Sequence, residues 1–313
     1  MANGSRHSMR YVAETVYGQT PATPAFKPIR HTGTTLGLSK ESLQSEEIRD
    51  DRQIADFRHG ARQVGGDINF ELSFESLDDL LEAVTLGSWL ADGAPGGDGD
   101  RLKAGTQRRS FTIERFFGDI ATVDKPYHRF TGVEMNTLAL AISANAMITG
   151  TLGTVGSDMS TASAIIVGAT YAAPTTTSPL DSFTGTLNEA GVPIAVITEI
   201  QLNLENGLEA RFVVGSKKSI LPSIGRSNVS GTITAYFENS LLLDKFINET
   251  ESSIVFELPD GAGNKYVFTL PRIKYNGGQP DVEGEGPITL SMPFQALLDS
   301  TTQTNIIIDR VPA

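Results

Sequence analysis

Apolar and polar residues alternate along much of this chain, the period of two that sends successive side chains to opposite faces of a β-strand. From Gly66 onward, Ile68, Phe70, Leu72 and Phe74 point one way and Asp67, Asn69, Glu71 and Ser73 the other. Farther along, Ile233, Ala235 and Phe237 are set against Thr232, Thr234 and Tyr236 in the same manner. Each stretch runs into a segment of helical spacing, residues 76–84 and 239–247, opened by a Ser or Asn suited to a helix N-cap. Beyond each helix the period returns to two, at Phe111 and Ile113 in one case and at Ile254 and Phe256 in the other.

The same elements therefore occur twice in the same order. Residues 60–70 recur as 225–235, residues 35–39 match 200–204, residues 127–131 match 266–270, and 138–144 and 288–294 read as closing strands. An offset of about 165 residues is too long for a solenoid unit and suits a duplicated domain. The expected fold is mainly β, a β-sandwich or β-barrel, in two tandem copies each with one flanking α-helix. The copies are expected at 29–155 and 183–313, after an N-terminal arm over 1–28 and separated by a linker over 156–182. Residues 92–109, rich in Gly and charge, are expected as a flexible insertion in the first copy alone.

Composition narrows the function. With 25 Lys plus Arg against 37 Asp plus Glu the net charge is −12, the wrong sign for a protein that grips nucleic acid through its phosphates. The absence of Cys excludes disulfides, thiolate metal sites and cysteine nucleophiles. No run approaches the roughly 20 apolar residues of a membrane helix, and the opening residues predict no signal peptide. The four His, at positions 7, 31, 59 and 128, form no i, i+4 pair. Asp98 and Asp100 begin like a calcium loop that Arg101, Leu102 and Lys103 fail to continue. Neither a nucleophile elbow nor a phosphate-binding loop occurs. No catalytic, cofactor-binding or metal-binding residue is expected, and a chain of two strand-rich copies without a site reads as a building block.

Two surfaces nevertheless stand out. Asp67, Asn69, Glu71, Thr232 and Thr234 place acidic or neutral polar groups, and no cation, on the wet side of their strands. Such a face is either plain solvated sheet or the wall of an aqueous channel for a polyanion, because cations along it would add phosphate affinity and slow transit. The other surface is the stretch 39–63, where Lys40, Arg49, Arg52, Arg58 and Arg62 are interspersed with Glu41, Glu46, Glu47, Asp50, Asp51 and Asp56. An unpatterned loop of that length is uncommon unless functional. It is either a solvated excursion or a docking loop whose charges set register against a neighbouring copy.

The chain resembles the major tail tube proteins of long-tailed, non-contractile bacteriophages, the siphophages. The resemblance is carried by Tyr11, Val12, Ala13, Glu14 and Thr15 through Pro21, by Ser45, Glu46, Glu47, Ile48, Arg49, Asp50, Asp51, Arg52 and Gln53, and by residues 64–70. In the second copy it continues through Ser182, Phe183, Thr184, Gly185, Thr186 and Leu187, residues 229–237 and residues 286–294. It implies a tail tube fold of two packed antiparallel sheets with a helix outside, rings whose inner sheets join as a continuous β-barrel, and rings stacked around a lumen for genome ejection. Closing a ring pairs edge strands that are otherwise exposed, and contacts that do not close along the axis propagate a filament.

Related tubes have six cores per ring, so a duplicated core implies a homotrimer of three chains in a pseudo-hexameric ring, where hexameric members of the family use six chains. On this resemblance Lys40, Glu41, Glu46, Glu47, Arg49, Asp50, Asp51, Arg52, Asp56 and Arg58 dock an adjacent ring, and Asp67, Asn69, Glu71, Thr232 and Thr234 face the lumen. The implied partners are further copies of the chain, the tape measure, tail tip and terminator proteins, and phage DNA passing through without specific binding, with no membrane. The implied location is the virion tail, after assembly in the host cytoplasm. The alternative is an adhesive or carbohydrate-binding β-sandwich module of a virion, weakened by a single Trp, Trp89, and seven Tyr where aromatic platforms are needed.

Overall fold

The computed structural model describes residues 1–313 apart from Phe183, Thr184, Ala195 and Glu283 and the side chain of Asp281, so part of the motif at 182–187 lies outside the described residues. Period-two alternation becomes strand almost throughout, and the fold is mainly β, with two α-helices among the described residues: α1 (Asp78–Thr85) and α2 (Leu241–Ile247). Six strands pair antiparallel in an unbroken row. Phe57–Glu71 pairs with Thr149–Gly156, then follow the C-terminal part of Tyr127–Ser143, Ile197–Glu205, Asn228–Tyr236 and Thr289–Ala296.

Gly37–Gln44 pairs at the end of this row with Phe57–Glu71, and other strands pair in two further groups. His7–Ala13, Phe111–Phe117, the N-terminal part of Tyr127–Ser143 and Asp158–Ala162 form one. Thr186–Glu189, Ser252–Pro259, Lys265–Tyr275, Ile307–Val311 and Asp100–Lys103 form the other. Tyr127–Ser143 belongs to two groups because a bulge between Met135 and Thr137 bends it from one to the other. Residues 138–144 are therefore no separate closing strand, as their spacing predicts, but continue the strand begun at Tyr127. Asn136 sits at the bulge, where the chain bends instead of turning back.

The order of pairing in the first half recurs in the second. Gly37–Gln44, Phe57–Glu71, Thr149–Gly156 and residues 134–141 lie side by side. So do Ile197–Glu205, Asn228–Tyr236, Thr289–Ala296 and residues 273–281. His7–Ala13 meets Phe111–Phe117 as Thr186–Glu189 meets Ser252–Pro259. By position in this order the counterpart of 288–294 is Thr149–Gly156.

Ile68, Phe70, Leu138, Leu140 and Leu152 from the six-strand row meet Tyr11, Phe111, Ile113 and Phe130 and the α1 residues Leu80, Leu81 and Val84 in the core. Ile200, Leu202, Ile233, Phe256, Phe268 and Phe294 continue it through the second half. Each such side chain contributes about 1.5–3 kcal/mol on burial. Asp78 and Asp79 suit the positive end of α1. Ser76 is not its cap, since its hydroxyl donates back to the Ser73 carbonyl, whereas Asn239 does accept the Leu241 N–H, at 3.0 Å. Within residues 92–109, Asp100–Lys103 is paired and Leu102 fully buried. Within 156–182, Asp158–Ala162 is paired with Tyr127–Ser143, and Leu180 is buried between the backbones of Leu72 and Ile148. No described helix is long and apolar enough to cross a membrane.

Candidate functional site

Alternation in the six-strand row sends Val64, Ile68 and Phe70 inward and Asp67, Asn69 and Glu71 outward. Register then carries the outward positions across both halves. One cross-strand line runs Glu71, Thr149, Ala141, Gln201, Thr232, Pro293, and the next runs Asn69, Thr151, Ala139, Asn203, Ser230, Gln295. Thr234 lies opposite Glu199 in a third. The structure thus brings Asp67, Asn69, Glu71, Thr232 and Thr234 onto one face, although they are far apart in sequence. Asp67 and Asn69 are exposed and the other three half-buried. The Thr151 hydroxyl donates to Asn69 Oδ1 and Gln201 Nε2 to Glu199 Oε1, both at 2.9 Å. Over residues 64–71, 137–143, 149–156, 197–205, 228–236 and 289–296 the charged groups are Asp67, Glu71, Glu199 and Glu205, with no Lys or Arg.

The charged stretch 39–63 is not an irregular loop. Gly37–Gln44 and Phe57–Glu71 pair as an arm that carries the chain out to residues 45–56 and back. All ten candidate docking residues are exposed. Some charges pair within the arm: Arg49 with Asp51 at 2.7 Å, which holds the Asp51 carboxyl below its usual range, and Arg58 with Asp56 at 3.0 Å. Lys40, Glu46, Glu47, Asp50 and Arg52 form no ion pair among the described residues. Leu43, Ile48, Ile54 and Phe57 are 55%, 99%, 65% and 48% exposed, a run of uncovered apolar side chains on a charged arm. Reading the stretch for charge alone misses them, and their spacing between ionic residues was the available signal.

The halves are fastened by polar contacts that no motif announces. Tyr266 Oη donates to Asp78 Oδ1 at 2.5 Å and accepts the Glu75 N–H, while Arg310 bridges Asp78 and Asp100. Burial, then Asp78, pushes the Tyr266 phenol well above its ordinary range. Arg101 makes a two-pronged pair with the buried Asp309, at 2.7 and 2.9 Å. Residues 206–224 of the second half lie on the first half. Asn206 Nδ2 donates to the Val84 carbonyl at 2.7 Å, the Leu208 N–H donates to Asn136 Oδ1 at 2.7 Å, and Ser157 donates to the Ser219 carbonyl at 2.6 Å. Lys218 pairs with Asp158, which Lys218 and Arg62 hold below the usual carboxylate range against the effect of burial.

Three of the four His come together. His7 Nδ1 and His31 Nε2 share a hydrogen bond at 2.8 Å, Arg115 Nε donates to His7 Nε2 at 3.1 Å, and His7 and His128 both meet the Phe117 ring at a steep tilt of 60°. Burial and then Arg115 push His7 down to about 4, and burial lowers His31 and His128. His59 stays apart, on the arm beside Phe57. Among the described residues no three His, Asp or Glu are placed to hold a metal ion, and Asp100 is taken up by Arg310.

A profile of the family described as phage tail tube protein matches residues 4–296. No curated protein matches the chain.

Proposed function

The chain belongs to the phage tail tube protein family, and from that premise we propose that it carries the tube core twice and that three copies close head to tail into a ring of six cores. Membership makes it a structural protein of the virion tail, one that assembles with itself and with other tail proteins, and not an enzyme. In the proposed reading the rings stack into the tube of a long, non-contractile tail. The face bearing Asp67, Asn69, Glu71, Thr232 and Thr234 lines a lumen through which the genome leaves.

One observation carries this reading. Residues 137–143 of the first half pair with residues 199–205 of the second, an antiparallel seam between two sets of strands that share one pairing order. Each chain then has two edges left over. Gly37–Gln44 pairs on one side only, with Phe57–Glu71. Past the strand Lys265–Tyr275 the chain runs on to the short strand Pro280–Asp281, which pairs with Thr289–Ala296 at the opposite edge. By register Gly37 corresponds to Asn203 and Gln279 to Ala139, and Asn203 faces Ala139 across the internal seam. Repeating that seam between chains sets Gly37 of one copy opposite Gln279 of the next. Unpaired edges attract other strands, and a closed ring satisfies every one of them.

The charge of the wet face supports its assignment to the lumen. A duplex carries one negative charge per about 1.7 Å, and each cation that meets a phosphate adds affinity through counterion release. Four acidic residues and no Lys or Arg over residues 64–71, 137–143, 149–156, 197–205, 228–236 and 289–296 give a wall that tolerates the duplex and does not hold it.

The chain has no Cys, so the seam is testable by Gly37→Cys with Gln279→Cys in one chain. Directly opposed residues have Cα atoms about 4.5–5.5 Å apart, within disulfide reach. Oxidation of assembled protein is expected to give a covalent ladder that stops at three chains. A ladder that stops at six overturns the trimer, and no cross-link at all overturns the seam.

A further inference from the structure

Each half connects its two paired rim strands by a long excursion. The spans from Leu38 to Val64 and from Leu204 to Val229 differ by one residue, and both run between directly opposed partners. Their surroundings differ completely. Residues 206–224 are seated on the first half of their own chain, where Asn206, Leu208 and Ser219 are buried. The arm at 40–59 is exposed along its whole length and has no body beneath it.

The seat used in the second case has an empty counterpart. Asn136, whose side chain accepts the Leu208 N–H, lies four residues before Leu140, and Leu140 faces Gly150. Asn276 lies four residues before Pro280, which faces Leu290 in the corresponding pair. Asn276 is exposed, and its side chain has no hydrogen-bond partner among the described residues. In the same half α2 buries none of its residues where α1 buries five, leaving Leu241 and Ile247 68% and 64% exposed, and Leu241 lines a groove of about 680 Å³. Counting on from the register match of Leu38 with Leu204, Lys40 and Ser42 correspond to Asn206 and Leu208.

We propose that the arm of one copy lies across the second half of the next copy in the same ring, with Asn276 of that copy accepting the Ser42 N–H. The arm is then a lateral clamp between neighbours around the ring, and its uncovered Leu43 and Phe57 are buried there against a second copy. Its charged residues 45–56 refine register at that contact, where electrostatics serves specificity more than affinity. This inference rests on the ring reading above and names its partner surface.

The test uses Ser42→Cys with Asn276→Cys and a short bis-maleimide on assembled protein, in parallel with the Gly37→Cys, Gln279→Cys variant. Both substituted side chains are exposed, so the fold is not at stake, and native-like circular dichroism of the monomer checks it. The expected result is a covalent ladder that ends at the same number of chains as the seam variant. A ladder running on to longer polymers means that the arm bridges stacked rings, and the inference falls. Absence of the arm cross-link while the seam cross-link forms also overturns it and leaves the seam standing. Failure of the seam variant itself removes the ring reading instead.

Discussion

Acid should weaken this fold within a defined pH window, and His7 is the residue that sets it. Its ring is half-buried between His31, Phe117 and the Arg115 guanidinium, and its pKa falls from 6.5 to about 4. A base with a depressed folded-state pKa stays neutral in the fold while the unfolded chain takes up a proton below 6.5. The stabilisation is therefore complete above 6.5, declines as pH falls toward 4, and changes no further below that. At 1.36 kcal/mol per pH unit a fully buried group would lose about 3.4 kcal/mol. Solvent screening of a half-exposed ring reduces this to about 1–2 kcal/mol.

The assay is urea unfolding of the purified chain at pH 7.5 and 5, above the range where carboxylates dominate. His7→Gln keeps an acceptor for Arg115 but cannot titrate. The variant is expected to start lower at pH 7.5 and to lose about 1 kcal/mol less than the native chain between the two pH values. His31 and His128 are shifted in the same direction and supply the remaining slope. Equal losses in variant and native chain would refute the assignment.

Two further outcomes are expected. Asp67→Lys with Glu71→Lys leaves the core-facing residues untouched, so tubes should still form under negative stain, but six added cations per three-chain ring should make the tube hold DNA. The log–log salt slope of that binding is expected near −5, about −0.9 per phosphate contact, and genome delivery should fall; unchanged infectivity counts against the lining assignment. Arg101→Ala strips both hydrogen bonds from Asp309, which is 3% exposed, and leaves a buried carboxylate unpaired. The expected cost is about 3 kcal/mol, read from the urea midpoint, and a change below about 0.5 kcal/mol would show that the pair does not fasten the halves.

Strand content, both helices and the sidedness of the wet face were legible in the sequence because each depends on local periodicity. Ile68 and Phe70 are buried and Asp67 and Asn69 exposed, as alternation requires. Non-local pairing was not legible. Nothing near Asp100–Lys103 reports that Ile307–Val311 lies beside it, and a Gly-rich, charged composition suggested a mobile insertion where Leu102 is fully buried. The strand Tyr127–Ser143 reads as two because the bulge at Asn136 resets the period of two, and alternation alone does not tell a bulge from a strand end. The arm was recognised by its charges, yet its hairpin pairing and its apolar side chains depend on what stands opposite each residue, and no window of sequence holds that.

The two helices show how far local pattern reaches. Both follow a strand of the six-strand row and both carry an apolar stripe, but five residues of α1 are buried and none of α2. Propensity cannot account for the difference, since short helices owe most of their stability to the packing of that stripe. What differs is the neighbour: α1 is covered by Tyr266, Arg310 and Asn206 of the second half, and in the proposed ring the corresponding cover for α2 comes from the next chain. The same holds for the two excursions, one seated and one bare, and for the two seam edges, one paired and one open. Each unlike pair leaves its uncovered member with apolar or backbone groups facing water, and the proposed head-to-tail contact with a second copy would cover all three. A monomeric solution would need three separate reasons for exposing Leu241, Ile247, Leu43, Phe57 and a strand edge.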